Sequence, residues 1–307
     1  AQARPMSIPE PASVYELPQR RRLARAALVS LRPRQWTKNL LLFAGIIFAA
    51  KLGDLARWGE AFTALAAYCA ASSASYLVND VRDAPHDRVH PLKRARPIAR
   101  GELSPRFAEA LAAGLLFTAV LLVASLGITS ILFLCIFFAL QAAYTLLLKH
   151  VVLLDVMTIA GLFVVRAAAG AKAVEVPISP WLLLCTALLA LFLALAKRRG
   201  ELVLVGAEAT PGRPVLEGYS LALVDQLVTV VAASTVISYC LYTFTARDSK
   251  AMMITIPFVV FGVFRYLLLI HRRDVGEEPE EVLLRDPPIL ACIAGWAVCA
   301  AVILSVT

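Results

Sequence analysis

An all-α, polytopic integral membrane helical bundle, with about nine transmembrane helices around a cytoplasm-facing cavity, is the fold this 307-residue sequence predicts. Three observations carry that expectation. Hydrophobic residues make up 60% of the chain, the apolar stretches run for the roughly 20 residues a helix needs to cross a bilayer, and charged residues cluster between those stretches. Continuous apolar runs, rather than short alternating ones, favour helices over a β-barrel.

Taken in order, residues 1–30 hold several prolines and the cluster Arg20, Arg21, Arg22 and Arg25 without an apolar core. They read as a cytoplasmic arm, disordered or lying on the membrane surface, rather than a cleaved leader. Residues 31–307 read as a single transmembrane domain. Its spans are expected near 32–52, 59–79, 106–126, 128–148, 151–174, 180–197, 220–245, 251–271 and 287–306. Ser104 with Pro105, Ser179 with Pro180, and Asp286 with Pro287 each place an N-cap residue before a proline at the first helical position.

Assigning the loops alternately places 23 of the 30 Lys and Arg residues on the side of the amino terminus and 5 on the other, with Arg166 and Arg265 inside spans. The positive-inside bias then orients the amino terminus toward the cytoplasm. The net charge of +8 is thus largely topological, with some attraction to membrane lipid, and gives no argument for nucleic acid. Six cysteines (Cys69, Cys135, Cys185, Cys240, Cys292 and Cys299) all fall in apolar spans without metal-ligand spacing, and read as small hydrophobes.

Function enters with Asn79, Asp80, Asp83 and Asp87, on the cytoplasmic side between two apolar stretches. A lone aspartate there would be a solvated loop residue. Acids at i, i+3 and i+7 share one helical face, however, with Asn79 beside Asp83. A run of bases follows: Arg88, Lys93, Arg94, Arg96 and Arg100. Such a face suits Mg²⁺, which takes one or two carboxylates and shares the rest of its shell with water and substrate phosphates. Pro85 removes a backbone donor, so the face is expected to break into two short helical pieces.

The same cytoplasmic level collects Arg34 and Lys38 before the first span, Tyr144, Lys149 and His150 after the fourth, and Lys197, Arg198, Arg199 and Glu201 after the sixth. Topology alone accounts for each basic cluster. Together they are candidates for one anion site, with Arg offering a planar fork and Lys a mobile point charge. Asp155 and Arg166 project from the same face of the fifth span, about 16 Å apart along its axis and too far to pair. Arg166 either braces helices or lines a cavity. The segment from His271 to Asp286 reads as a solvated connection or as a lid.

Residues 79–87 match the NDxxDxxxD signature of the UbiA superfamily of intramembrane prenyltransferases, and Arg94, Arg96, Pro97, Ile98 and Gly101 resemble its following RxRPI segment. Residues 32–39, Leu148–His150, Arg166–Gly170 and Ala196–Arg198 extend the likeness along nearly the whole chain after residue 28, toward the branch that transfers phosphoribose. The resemblance implies transfer of 5-phosphoribose from phosphoribosyl pyrophosphate to decaprenyl phosphate, or another polyprenyl phosphate, releasing pyrophosphate in a route to cell-wall arabinan. It implies Mg²⁺ on Asn79, Asp80, Asp83 and Asp87, and substrate contacts from Arg34, Lys38, Arg94, Tyr144, Lys149, Arg166, Lys197 and Arg198. A homo-oligomer is compatible with it. Prenyltransferases of the superfamily usually carry a second acidic motif after the sixth span, where this chain reads Lys197-Arg198-Arg199-Gly200-Glu201. Gained cations there suit a donor with more phosphate to neutralise. The alternatives are a lipoquinone-type prenyltransferase, which predicts more acids near 197–205, and a transporter, which predicts an internal repeat that the chain does not display.

Overall fold

The computed structural model describes residues 19–48, 53–89, 93–208, 214–245, 250–272 and 285–306, and the regular elements among them are helical. The α-helices are α1 (Gln19–Ser30), α2 (Ala44–Phe48), α3 (Leu55–Asp87), α4 (Pro105–Ala124), α5 (Ile128–Leu146), α6 (Leu154–Ala173), α7 (Pro180–Glu208), α8 (Leu221–Thr245), α9 (Ile256–Arg272) and α10 (Pro287–Val306). Among the described residues, α3 through α10 give eight helical stretches long and apolar enough to cross a bilayer. The chain is a multi-pass membrane protein.

The first expected span, 32–52, takes another form. Pro33–Phe43 winds as a 3₁₀ helix that leads into the five-residue α2, and positions 49–52 lie outside the described residues. At about 2.0 Å per residue the 3₁₀ stretch advances further than an α-helix of the same length. Its backbone lies directly on α6. A Cβ on Gly170 would come 2.1 Å from the Leu42 carbonyl oxygen, and one on Gly45 would come 2.5 Å from the Ala171 Cα. Glycines at both positions therefore permit this crossing, since small residues let backbones meet without side chains between them.

Two of the expected caps are made by side chains. Ser104 Oγ accepts from the Phe107 amide at 3.3 Å, and Asp286 Oδ1 from the Ile289 amide at 3.0 Å. At Ser179 only the carbonyl takes part, accepting from Leu183 N at 3.2 Å. Asp54 caps α3 through the amides of Ala56 and Arg57 at 3.0 and 3.3 Å. Asp286 also accepts two bonds from Arg265 on α9, at 3.3 and 2.9 Å, which ties α9 to the start of α10. The expected break at Pro85 does not occur: α3 continues through it to Asp87, and Arg88 N still donates to Ala84 O at 3.2 Å. The proline lies two residues from the helix end, and the donor it lacks would have served only the preceding turn, at the Val81 carbonyl.

Contacts divide the described chain into two compact units, one of residues up to 33 with 73–113, the other of 34–72 with 114–306. In the first unit Gln19–Ser30 forms the helix α1, with Ala26 and Ser30 buried and Leu23, Arg25, Leu28 and Val29 exposed. The Ser73 hydroxyl donates to the Leu31 carbonyl just beyond α1 at 2.9 Å. Residues 1–18, and most of the expected 271–286 connection, lie outside the described residues. The second unit has two main apolar clusters. One gathers Phe192, Val228, Tyr266 and Ile270 from α7, α8 and α9; the other gathers Tyr68, Val123, Phe137 and Leu162 from α3 to α6. The six cysteines form no disulfides.

Candidate active site

In the first unit, the carboxyl end of α3 carries the acids that the i, i+7 spacing places on one face. Asp80 and Asp87 are buried. One nitrogen of Arg96 donates to both, at 3.2 Å to Asp80 Oδ1 and 2.7 Å to Asp87 Oδ2. Arg32 donates to the same Asp80 oxygen at 2.6 Å. Local structure explains both arrivals. Arg32 follows α1 in the left-handed region, φ 53°, and its guanidinium lies 4.8 Å over the Tyr76 ring. Arg96 sits in a tight turn closed by Arg96 N to Lys93 O (3.0 Å) and Glu102 N to Pro97 O (2.9 Å), with Gly101 at φ 76°. The RxRPI-like segment therefore serves to bring Arg96 onto the carboxylates.

Asn79 and Asp83 are half-buried and stand outside this ion-pair group. Among the described residues no three acidic, histidine or cysteine side chains converge as a metal cage, and Asp80 and Asp87 are the two acids that share a cationic partner. That pair still fits Mg²⁺. The Arg96 nitrogen shows that Asp80 and Asp87 oxygens reach one cationic point, and two carboxylates with phosphate and water complete the usual Mg²⁺ shell. Arg94 is exposed on the 3₁₀ turn Lys93–Ala95 and takes no part in those ion pairs.

In the second unit, the basic run at 197–199 does not act as three like charges. Arg198, 1% exposed, donates from Nε to Asp155 Oδ2 at 2.7 Å and also pairs with Glu201. Arg199 donates to Asp225 and to the Ile270 carbonyl, each at 2.8 Å. Burial and two carboxylates hold Arg198 between α6 and α7. Lys197 is half-buried. Asp155 accepts a second bond from the Tyr219 hydroxyl at 2.7 Å, and that hydroxyl accepts from Leu153 N at 2.7 Å, where Leu153 adopts φ 67°. Burial first, then the bond to Asp155, pushes the Tyr219 hydroxyl up to about 12, so it stays protonated and donates.

Arg166 links the 3₁₀ segment to α6. Its Nε donates to Asn39 Oδ1 at 2.8 Å, a second nitrogen donates to Leu162 O at 3.0 Å, and the guanidinium lies 4.8 Å from the Phe137 ring centroid. Asn39 is fully buried, so this bond locks the 3₁₀ segment to α6. Arg34 is exposed; Tyr144, Lys149 and Lys38 are half-buried, at the end of α5, on the following 3₁₀ turn and on the first 3₁₀ segment. A cavity of about 680 Å³ opens among the 3₁₀ segment and α6 to α10. Leu189, Phe258, Val263, Tyr266 and Trp296 are among its walls, and Lys38 is the one charged side chain among the described residues lining it. Its size and apolar walls suit a lipid chain. Sequence reasoning missed Tyr219 and Asp225, which no spacing marks, and saw Arg32 and Arg96 without their partners.

The sequence profile described as the UbiA prenyltransferase family matches residues 40–285. A decaprenyl-phosphate phosphoribosyltransferase of Mycolicibacterium smegmatis is 35% identical over 297 residues, 89% of this chain and 91% of the relative. Proteins of the same name from Mycobacterium tuberculosis and Corynebacterium glutamicum are 33% and 31% identical, over 89% and 90% of this chain and 92% and 86% of their own. Among solved structures, a UbiA homologue from Archaeoglobus fulgidus bound to GPP and Mg²⁺ superposes with a TM-score of 0.69 at 18% identity, over 92% of this chain and 100% of that one. At that identity the likeness bears on the fold alone.

Proposed function

The chain belongs to the UbiA prenyltransferase family, and from that premise we propose that it transfers 5-phosphoribose from phosphoribosyl pyrophosphate to decaprenyl phosphate. The products are pyrophosphate and decaprenylphosphoryl 5-phosphoribose, a precursor of the arabinose donor for cell-wall arabinan. The observation that carries this reading is the convergence of buried Asp80 and Asp87 on one cationic point. The similarity of about nine-tenths of the chain to phosphoribosyltransferases supports the choice of donor.

Asp80 and Asp87, with Asp83 and Asn79 on the same stretch of α3, would hold Mg²⁺ on this reading. When bound, the ion supplies positive charge to the leaving diphosphate. The arginines beside the carboxylates, Arg32 and Arg96, with Arg94 nearby in sequence, orient phosphate oxygens. The bond between ribose C1 and the diphosphate oxygen breaks as a lipid phosphate oxygen bonds to C1 from the opposite face, which inverts that centre. The lipid phosphate is already anionic, so no strong base is needed, and the exposed His86 and His150 are not required as one. In the second unit Arg34, Lys38, Tyr144, Lys149 and Lys197 are the remaining phosphate contacts, while Arg166 and Arg198 position helices. The polyprenyl tail occupies the apolar cavity. The basic bias of the loops orients the chemistry toward the cytoplasm, where the donor is soluble.

The test is purified protein in lipid nanodiscs with Mg²⁺, labelled phosphoribosyl pyrophosphate and decaprenyl phosphate. Label is expected to enter lipid with one pyrophosphate released per transfer. Transfer of prenyl groups to an aromatic acid, with no labelled lipid, would replace this reading by the prenyltransferase one.

A further inference from the structure

Asp80 and Asp87 bring two negative charges into a site where their side chains are 4% and 5% exposed, and Arg32 and Arg96 bring two positive ones. A divalent cation binding the same oxygens adds two more. At low effective dielectric such an excess is strongly unfavourable, so a guanidinium must withdraw or be matched by an anion.

The two arginines are held differently. Arg32 bonds Asp80 alone and lies over the Tyr76 ring, a contact that keeps it in place. Arg96 places one nitrogen between both carboxylates, at the point a shared ion must take, and its side chain is 28% exposed on the short 93–101 turn. The geometry points to Arg96 as a resident counter-cation: its guanidinium and a divalent ion compete for the Asp80–Asp87 pair, and ion binding releases that guanidinium to a phosphate. This rests on the reading above that the pair holds Mg²⁺. Two consequences follow. The divalent ion alone binds weakly, because it must displace Arg96. A phosphate-bearing ligand strengthens ion binding by giving Arg96 another partner, which couples the two ligands.

The experiment is titration of the full-length protein in nanodiscs with Mn²⁺ alone, following the free ion by electron paramagnetic resonance. Affinity is expected to rise in the order wild type, Arg96→Lys, Arg96→Gln, with Gln about tenfold tighter than wild type. A lysine keeps the charge but not the fork, so it separates competition from loosening of the turn. Should the Gln protein fail to fold, the Lys variant still has to bind more tightly than wild type. Equal or weaker binding in the Arg96 variants, with binding still lost in Asp80→Asn, overturns the competition and leaves the cation site. Binding that is indifferent to Asp80→Asn overturns the cation site and, with it, this inference.

Discussion

Asp80 holds two guanidinium groups and Asp87 one, so substituting either acid changes both charge and pairing. Asp87→Asn is expected to lower turnover by about 100-fold or more, measured as label incorporated into lipid at saturating Mg²⁺, with thermal unfolding near wild type. Near-normal turnover would remove Asp87 from the chemistry. Tyr219→Phe deletes the bonds to Asp155 and Leu153, and is expected to destabilise by about 1–3 kcal/mol. With its hydroxyl raised from 10.0 to about 12, the contribution of Tyr219 to stability is complete below pH 10 and is lost as pH climbs through 12. Thermal melts across that range should therefore fall more steeply for wild type than for the Phe variant. The acids' shared face was readable from a three-and-seven spacing. Their arginines were not, because Arg32 arrives through a left-handed residue after α1 and Arg96 through a turn closed at Gly101, neither of which leaves a periodic mark.

Close backbone contact sets the constraint at the level of elements. With only 2.1 Å between a Gly170 Cβ and the Leu42 carbonyl, Gly170→Ala has to separate the 3₁₀ segment from α6 and, with it, Asn39 from Arg166. A loss of about 3 kcal/mol or more is expected, read as a lower melting temperature in detergent; an unchanged melt would mean that the crossing relaxes freely. Gly262 is the contrasting control, since a Cβ there would meet only Cys292 Sγ at an ordinary 3.8 Å. Helices α3 to α10 could be anticipated from hydropathy because lipid rewards continuous apolar length. The 3₁₀ winding of 33–43 could not, since hydropathy does not distinguish 3₁₀ from α geometry. The two glycines that decide it lie in separate parts of the sequence.

Across the whole molecule, composition announced the membrane class, but not the internal partners of the polar run at 197–201. Its excess of positive charge looked like a phosphate receptor, yet Asp155, Glu201 and Asp225 answer Arg198 and Arg199 from within the protein. Two of those three acids come from outside the run, so charge counted locally overstated what is available to a ligand. The 680 Å³ cavity makes a prediction about the acceptor. Thr186→Trp, on its wall, is expected to raise KM for decaprenyl phosphate about tenfold while leaving a short-chain polyprenyl phosphate nearly unaffected. Parallel effects on both acceptors would place the tail elsewhere.

The Arg265–Asp286 clasp has a consequence for how the chain survives cutting. Because α9 and the first turn of α10 are joined by two charge-assisted bonds, a protease that nicks the backbone between positions 273 and 284 leaves the two flanking helices held by more than membrane burial. The fragments should therefore co-purify as a nicked pair. Arg265→Ala should let the smaller piece, a single hydrophobic helix, wash away at high salt in mild detergent.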